Sequence, residues 1–231
     1  MSWQVICDFD GTIAVEDVTD LLLERFASPR WRDIEGDWRA GRIGSRECMA
    51  LQIALMECGV ADIEQCAAAV PIDPGFPAFV RDCARRGLPL AIVSDGLDIA
   101  IRAVLARHGL QDIPVYSNRL CSGSEALFLE FPHGESACAA GSGTCKCAVS
   151  AGTAQAGRRT LLVGDGASDF CLAGRADLVF AKDRLIDHCR DNGLPHRPIS
   201  GFAEARRLLE TLETQQRPAA PANGITAIGV A

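Results

Sequence analysis

The chain has 231 residues, 48% of them hydrophobic and 23% charged, which excludes a disordered protein, a collagen-like fibre and a disulfide miniprotein. Acidic residues outnumber basic ones 30 to 23, and the net charge of −7 with no basic run excludes nucleic acid and anionic membrane as default partners. The 11 cysteines, odd in number, follow no leader-like N-terminus, and no apolar window approaches about 18 residues, so reduced thiols, a cytoplasmic location and no membrane span are expected.

The first strand is predicted over Trp3 to Cys7, an apolar run that ends where two aspartates appear. A helix is expected from near Val15 to Phe26, broken by Pro29. From Arg30 to Val70 only helical periodicity is visible: Trp31, Ile34 and Trp38 recur at spacings of three and four, as do Met49, Ile53 and Met56. Residues 15–71 therefore read as a small helical insert, with 1–14 and 72–213 as one α/β core. A helix is expected over Gly75 to Arg86, then a strand from Leu88 that stops at Ser94, then a helix from Leu97 to His108 closed by Gly109. Val115 to Cys121 and Ala126 to Phe131, flanking Ser122-Gly123-Ser124-Glu125, predict a β-hairpin. Further on, helices are expected over Lys146 to Ala156, Asp183 to Asp191 and Gly201 to Leu212, with strands at Thr160 to Val163 and Leu178 to Phe180. Residues 214–231, rich in Ala, Pro and Gly, read as a loose tail. Buried strands alternating with helices imply a doubly wound, mostly parallel, Rossmann-like sheet, in which ligands bind beyond the carboxyl ends of the strands.

Three polar clusters fall at such ends. In Asp8-Phe9-Asp10-Gly11-Thr12, two carboxylates separated by one residue point to one side of an extended segment; they are costly together unless a cation such as Mg²⁺ neutralises them, or else they are a helix cap and a surface charge. Gly164-Asp165-Gly166-Ala167-Ser168-Asp169 supplies a second acidic pair, although Gly-Asp-Gly also makes good turns. Ser94-Asp95-Gly96 offers a hydroxyl and turn amides where anions bind readily, or a simple helix cap. Lys146 opens a helix after an uncharged loop, where an ordinary surface lysine is the alternative. Cys138, Cys145 and Cys147 lack the spacing of a standard zinc pair, and Gly164-x-Gly166 lacks the third glycine of a dinucleotide fingerprint.

Taken together and in this order, Asp8-Phe9-Asp10-Gly11-Thr12, Ser94, Lys146 and Gly164 to Asp169 resemble the four motifs of the haloacid-dehalogenase-like phosphatase superfamily, over about residues 3–212. The helical insert stands where that superfamily carries its cap. Within it the chain is similar to the phosphoserine-phosphatase-like branch, and to the phosphatases of methionine salvage in particular, through Cys7 to Ile13, Phe131-Pro132, Cys145-Lys146 and Ala176 to Asp183. The resemblance implies a phosphomonoesterase acting on a small phosphorylated metabolite. Asp8 would be the nucleophile that forms an aspartyl-phosphate and Asp10 the acid and base. Mg²⁺ would be held by Asp8, the Asp10 carbonyl and Asp165, with Asp169 a water-mediated metal partner that orients Lys146. Lys146 and Ser94 would offset phosphoryl charge.

For the substrate, Asp95 and Gly96 stand with Ser94 as binding candidates. Asp17 stands near an acidic substrate-binding position of the phosphoserine phosphatases, with a first-turn helix charge as its alternative. The arginine that those enzymes carry in the cap is missing at Ala50 to Gln52, which argues against phosphoserine, with Arg46 or Arg42 left to reach in from neighbouring turns. The hairpin is expected to wall the pocket and carry Phe128 or His133 toward it. Alternatives are a phosphoserine phosphatase, a phosphotransferase to a small alcohol, or a non-catalytic phospho-ligand binder. Monomer and homodimer both stay open.

Overall fold

Every residue of β1 (Trp3–Cys7) is buried, and its alternate side chains enter two different cores. Val5 and Cys7 join the larger one, whereas Ile6 joins a second one on the opposite face. A strand buried on both faces needs neighbours on both edges and layers above and below. The computed structural model, which describes residues 2–124, 126–138, 140–154 and 157–212, supplies both.

β1 is the central strand of a seven-stranded sheet. On one side lie β2 (Leu90–Leu97), β3 (Val115–Ser122) and β4 (Leu127–Glu130); on the other lie β5 (Arg159–Gly164), β6 (Leu178–Ala181) and β7 (His196–Pro198). The pairings are parallel except for the β3–β4 hairpin. The chain works outward from β1 to β4 and then returns to the far side of β1 to start β5, so the order switches between β1 and β5. Ligands bind at the carboxyl ends beside such a switch.

Helices cover both faces. In the larger core, α5 (Phe76–Arg85), α6 (Asp98–Arg107) and α10 (Phe202–Leu212) pack on the sheet, and the Phe202 ring meets Phe76 and Phe79 at centroid distances of 4.8 and 5.0 Å. Each such ring contributes about 1.5–3 kcal/mol by burial alone. On the other face, α7 (Lys146–Thr153), α8 (Phe170–Ala173) and α9 (Asp183–Asp191) bury Val149, Leu172, Leu185 and Cys189.

Four helices lie between β1 and α5: α1 (Val18–Phe26), α2 (Trp31–Arg39), α3 (Ser45–Ile53) and α4 (Val60–Ala67). The chain enters and leaves this stretch side by side. Ala14 and Ile72 form an antiparallel bridge, flanked by bonds from Val15 N to Pro71 O and from Asp73 N to Ile13 O.

The doubly wound architecture matches the expectation, with local differences. α1 starts at Val18 rather than near Val15, because Val15 is drawn into the bridge and Asp17 caps the helix by accepting from Asp20 N. β2 does not stop at Ser94; it runs through a bulge to Leu97, which pairs with Asn118. β7 was not expected, since three residues ending in Pro198 carry no strand pattern and suit only an edge. The hairpin forms, with its β4 packed toward α3. Its turn residue Glu125, the expected helix end at Ala156 and the tail over 214–231 lie outside the described residues. Among the described residues no helix is long and apolar enough to cross a membrane.

Candidate active site

Asp8 directly follows β1 and is anchored there by a bond from its N–H to Val163 O, which ties the tips of β1 and β5 together. Its Oδ1 accepts from Phe9 N at 2.8 Å, and Oδ2 faces the Lys146 Nζ at 2.6 Å. Lys146 reaches it from the first turn of α7 and is itself buried; its Nζ also lies 2.6 Å from Asp169 Oδ1 and 2.9 Å from Ser168 Oγ. Ser168 Oγ in turn donates to Asp8 Oδ2 at 3.1 Å. Burial alone would lower the lysine, but the Asp169 and Asp8 carboxylates outweigh it and hold the ammonium above its ordinary value.

Asp165 and Asp169 come from the tip of β5 and the tight turn after it. Asp169 Oδ2 accepts from Asp165 N and Gly166 N, so one buried carboxylate shapes the turn and clamps the lysine. Gly164 is required there, because a Cβ would fall 2.3 Å from Asp169 Oδ2. Thr12 Oγ1 donates to Asp165 Oδ1, fixing the second carboxylate opposite Asp8. Burial pushes Asp165 up, opposed by the Thr12 bond, and burial together with the Asp8 charge pushes Asp169 up to about 7.

One oxygen from each of Asp8, Asp165 and Asp169 lies within 4.8 Å of the others. Three carboxylates facing one buried ammonium leave excess negative charge in a half-dry site, and the donors are all hard oxygens. Both features fit a small divalent cation such as Mg²⁺. Cys138, Cys145 and Cys147 form no such group among the described residues, and all cysteines are free thiols.

Asp10 stands on the pocket side of the turn, with Oδ1 accepting from Val18 N at 2.9 Å. Burial and the Asp17 carboxylate push it well above the usual carboxylate range, which favours its protonated form. Asp17 caps α1, as its helix-charge reading expects, and also lines the pocket; burial against the pocket wall and the Asp20 charge push it up to about 6. From β2, Ser94 Oγ accepts from Gly96 N at 2.9 Å, leaving its own O–H free to donate. A Cβ on Gly96 would meet Asp10 Oδ2 at 2.9 Å, so the glycine lets β2 approach the aspartate. Asp95 lines the pocket, but its carboxylate is taken up by Ser45 and Thr144.

These groups floor a cavity of about 440 Å³ roofed by α1, α2 and α3, which contribute Thr19, Trp38, Cys48, Met49 and Gln52 to its lining. Arg39 lines it but pairs with Glu35 at 3.0 Å. Neither alternative arginine reaches in: Arg42 pairs with Asp37, and Arg46 turns to Ser142 O and the Phe131 ring. The hairpin does not wall this cavity either. Phe128 projects into solvent, and His133 packs edge-on against Tyr116 because β4 is an outer strand lying against α3. Sequence reasoning missed Arg184, which lines the rim, and Lys182, which donates to Gly11 O at 2.6 Å. It also missed Asn118 and Thr144. Only the position of Lys182, just past a strand end, was a usable signal.

A family model described as haloacid dehalogenase-like hydrolase matches residues 5–174. A protein of Geobacillus thermodenitrificans named 2-hydroxy-3-keto-5-methylthiopentenyl-1-phosphate phosphatase is 30% identical over 213 residues, 90% of this chain and 96% of that protein. One of the same name from Brevibacillus brevis is 28% identical over 214 residues, 91% of this chain and 96% of its own length. Among solved structures, a family hydrolase of Salmonella enterica serovar Typhi aligns with a TM-score of 0.69 at 18% identity, covering 92% of this chain and 71% of that one. A substrate-bound phosphoserine phosphatase aligns with a TM-score of 0.63 at 19% identity, covering 94% and 99%. At these identities the two structures share the fold.

Proposed function

The chain belongs to the haloacid dehalogenase-like hydrolases and is a phosphatase, and on that premise we propose that it hydrolyses a small phosphorylated metabolite, with Mg²⁺, through a phosphoryl group carried on Asp8. The observation that carries this reading is the Lys146 Nζ held at 2.6 Å from both Asp8 and Asp169 at the switch point of the sheet.

Asp8 Oδ attacks phosphorus in line and the ester P–O bond breaks. Asp10 gives its proton to the departing alcohol oxygen; its raised proton affinity suits that task. The emptied carboxylate then takes a proton from the water that attacks the aspartyl-phosphate, which releases phosphate and restores both aspartates. Lys146 orients Asp8 and offsets charge on the transferring group, and the Ser94 hydroxyl donates to a phosphoryl oxygen. Asp8, the Asp10 carbonyl and Asp165 would hold Mg²⁺, with Asp169 behind a water; when bound, the cation supplies charge neutralisation to the phosphoryl oxygens.

The helical stretch over 15–71 serves as the cap, and its lining supports the finer reading that the substrate is 2-hydroxy-3-keto-5-methylthiopentenyl-1-phosphate, placing the enzyme in methionine salvage. Trp38, Cys48 and Met49 offer an apolar, sulfur-rich wall that suits a thioether. From this stretch only Arg39 brings a cation to the lining among the described residues, and Glu35 already pairs it, so a substrate carboxylate finds no free partner there.

Phosphate release from this ester, from phosphoserine and from p-nitrophenyl phosphate tests both levels. We expect Mg²⁺-dependent turnover lost with EDTA and in Asp8→Asn, and the highest kcat/KM on the thioether ester. Turnover by Asp8→Asn would overturn the mechanism, and a preference for phosphoserine would overturn the substrate.

A further inference from the structure

Asp95 is spent on protein contacts that catalysis at Asp8 does not require. Its Oδ1 accepts from Thr144 N at 2.7 Å and its Oδ2 from Ser45 Oγ at 3.0 Å. Ser45 is the first residue of α3, in the helical stretch, whereas Thr144 lies two residues before Lys146. The Asp95 carbonyl accepts from the Asn118 amide, whose Oδ1 accepts from Thr144 Oγ1 at 3.1 Å. Asn118 and Thr144 are completely buried, and with the half-buried Asp95 they form a closed ring of hydrogen bonds beside Ser94.

The same loop holds α3 in other ways. Arg46 N donates to Gly141 O at 3.0 Å, and the Asn118 amide also reaches Met49 Sδ at 3.5 Å. Gly143 lets the loop close over Asn118, since a Cβ there would fall 2.5 Å from Asn118 Oδ1. The cap helix that roofs the cavity and the loop that delivers the buried lysine are therefore fastened to one carboxylate, itself next to Ser94.

We propose that Asp95 is a positioning residue that latches the helical cap to the loop carrying Lys146, so that Lys146 and Ser94 are correctly placed only when the cap is shut. This rests on the phosphatase reading and deepens it, because it makes cap closure and assembly of the phosphoryl site one event. Ser45 is the separable half of the latch: removing it cuts the cap's bond to Asp95 and loosens the cap while Thr144 stays bound. Removing the Asp95 carboxylate frees both.

Hydrogen exchange of the 44–50 and 141–149 segments and steady-state kinetics on p-nitrophenyl phosphate with Mg²⁺ test this in Ser45→Ala, Asp95→Ala and Asp95→Asn, with a melting curve for each to show that it folds. Loss of one charge-assisted bond is expected to raise KM of Ser45→Ala about tenfold while kcat falls far less, with faster exchange in 44–50 alone. Asp95→Ala is expected to lose about 10- to 100-fold in kcat and to exchange faster in both segments. Asp95→Asn keeps an acceptor for Thr144 and a partner for Ser45 and is expected to recover kcat to within about threefold. Unchanged exchange in Ser45→Ala and Asp95→Ala would overturn the latch, as would a kcat loss in Asp95→Asn equal to that of Asp95→Ala. Asp8→Asn is expected to exchange like the wild type in both segments. If the wild type released no phosphate at all, the exchange data would still decide the latch, and only the phosphatase reading would fall.

Discussion

A methyl group placed on Gly11 would sit 2.6 Å from Asp165 Oδ2. The glycine also holds φ at +69°, a conformation that costs other residues about 1–2 kcal/mol. The turn after the first strand and the acidic tip of β5 are thus packed backbone to carboxylate. Gly11→Ala is expected to push Asp165 away from Asp8, cost roughly 1–3 kcal/mol of stability and weaken Mg²⁺ binding at least about tenfold. Calorimetric titration with Mg²⁺ beside a thermal melt checks it; unchanged Mg²⁺ affinity would contradict the packing argument.

Lys146 is the cation buried between Asp8 and Asp169, and its removal strands two carboxylates. Lys146→Met is expected to cost roughly 3–5 kcal/mol in metal-free protein, as loss of one member of a buried ion pair does. Turnover should fall by at least about 100-fold through loss of charge stabilisation. Denaturant unfolding in EDTA and phosphate-release kinetics report the two effects separately.

The pH behaviour of metal binding follows from Asp169. With burial and the Asp8 charge holding it up at about 7, the metal-free site carries a proton below that pH and has lost it above. A cation would bind the deprotonated cluster, so binding would expel a proton on the acid side only. Mg²⁺ affinity is expected to be level above about pH 8 and to decline toward a limit of about tenfold per unit below about pH 7. Titrations across that range in buffers of different ionisation enthalpy would register the released proton; an affinity independent of pH would exclude it.

Away from the site, the Phe76, Phe79 and Phe202 cluster ties α10 to α5. Phe202→Ala is expected to cost about 3–5 kcal/mol, because the ring is completely buried against Phe76 and Phe79 and its loss leaves a cavity. The Mg²⁺ affinity of the fraction that stays folded should not change, since the ring is buried in the core between α5 and α10 and does not line the acidic cavity. Thermal unfolding with and without Mg²⁺ measures both.

The central strand and its acidic end were legible in the sequence because a mostly apolar run leading into Asp8 and Asp10 has few other uses in an α/β chain. Lys146 was legible only through its order among the other motifs, since a helix-opening lysine carries no local signal. Ser94-Asp95-Gly96 reads as a turn and folds as a bulge within β2, because Gly96 must lie flat against Asp10, a demand that exists only once the strands are side by side. Asn118 and Thr144 look like ordinary polar residues of a strand and a loop. Their use arises from bonds to each other and to Asp95, which no periodicity encodes. The direction of Arg46 was equally hidden: its guanidinium follows Phe131 and Ser142, residues distant in sequence.

The bridge between Ala14 and Ile72 brings the two ends of the helical stretch to one point on the rim. A chain built this way is modular at that point: a different roof can be spliced in there without rethreading the sheet beneath it. Selectivity and chemistry are thereby open to separate change, the first by exchanging the roof and the second by substitutions at the strand tips.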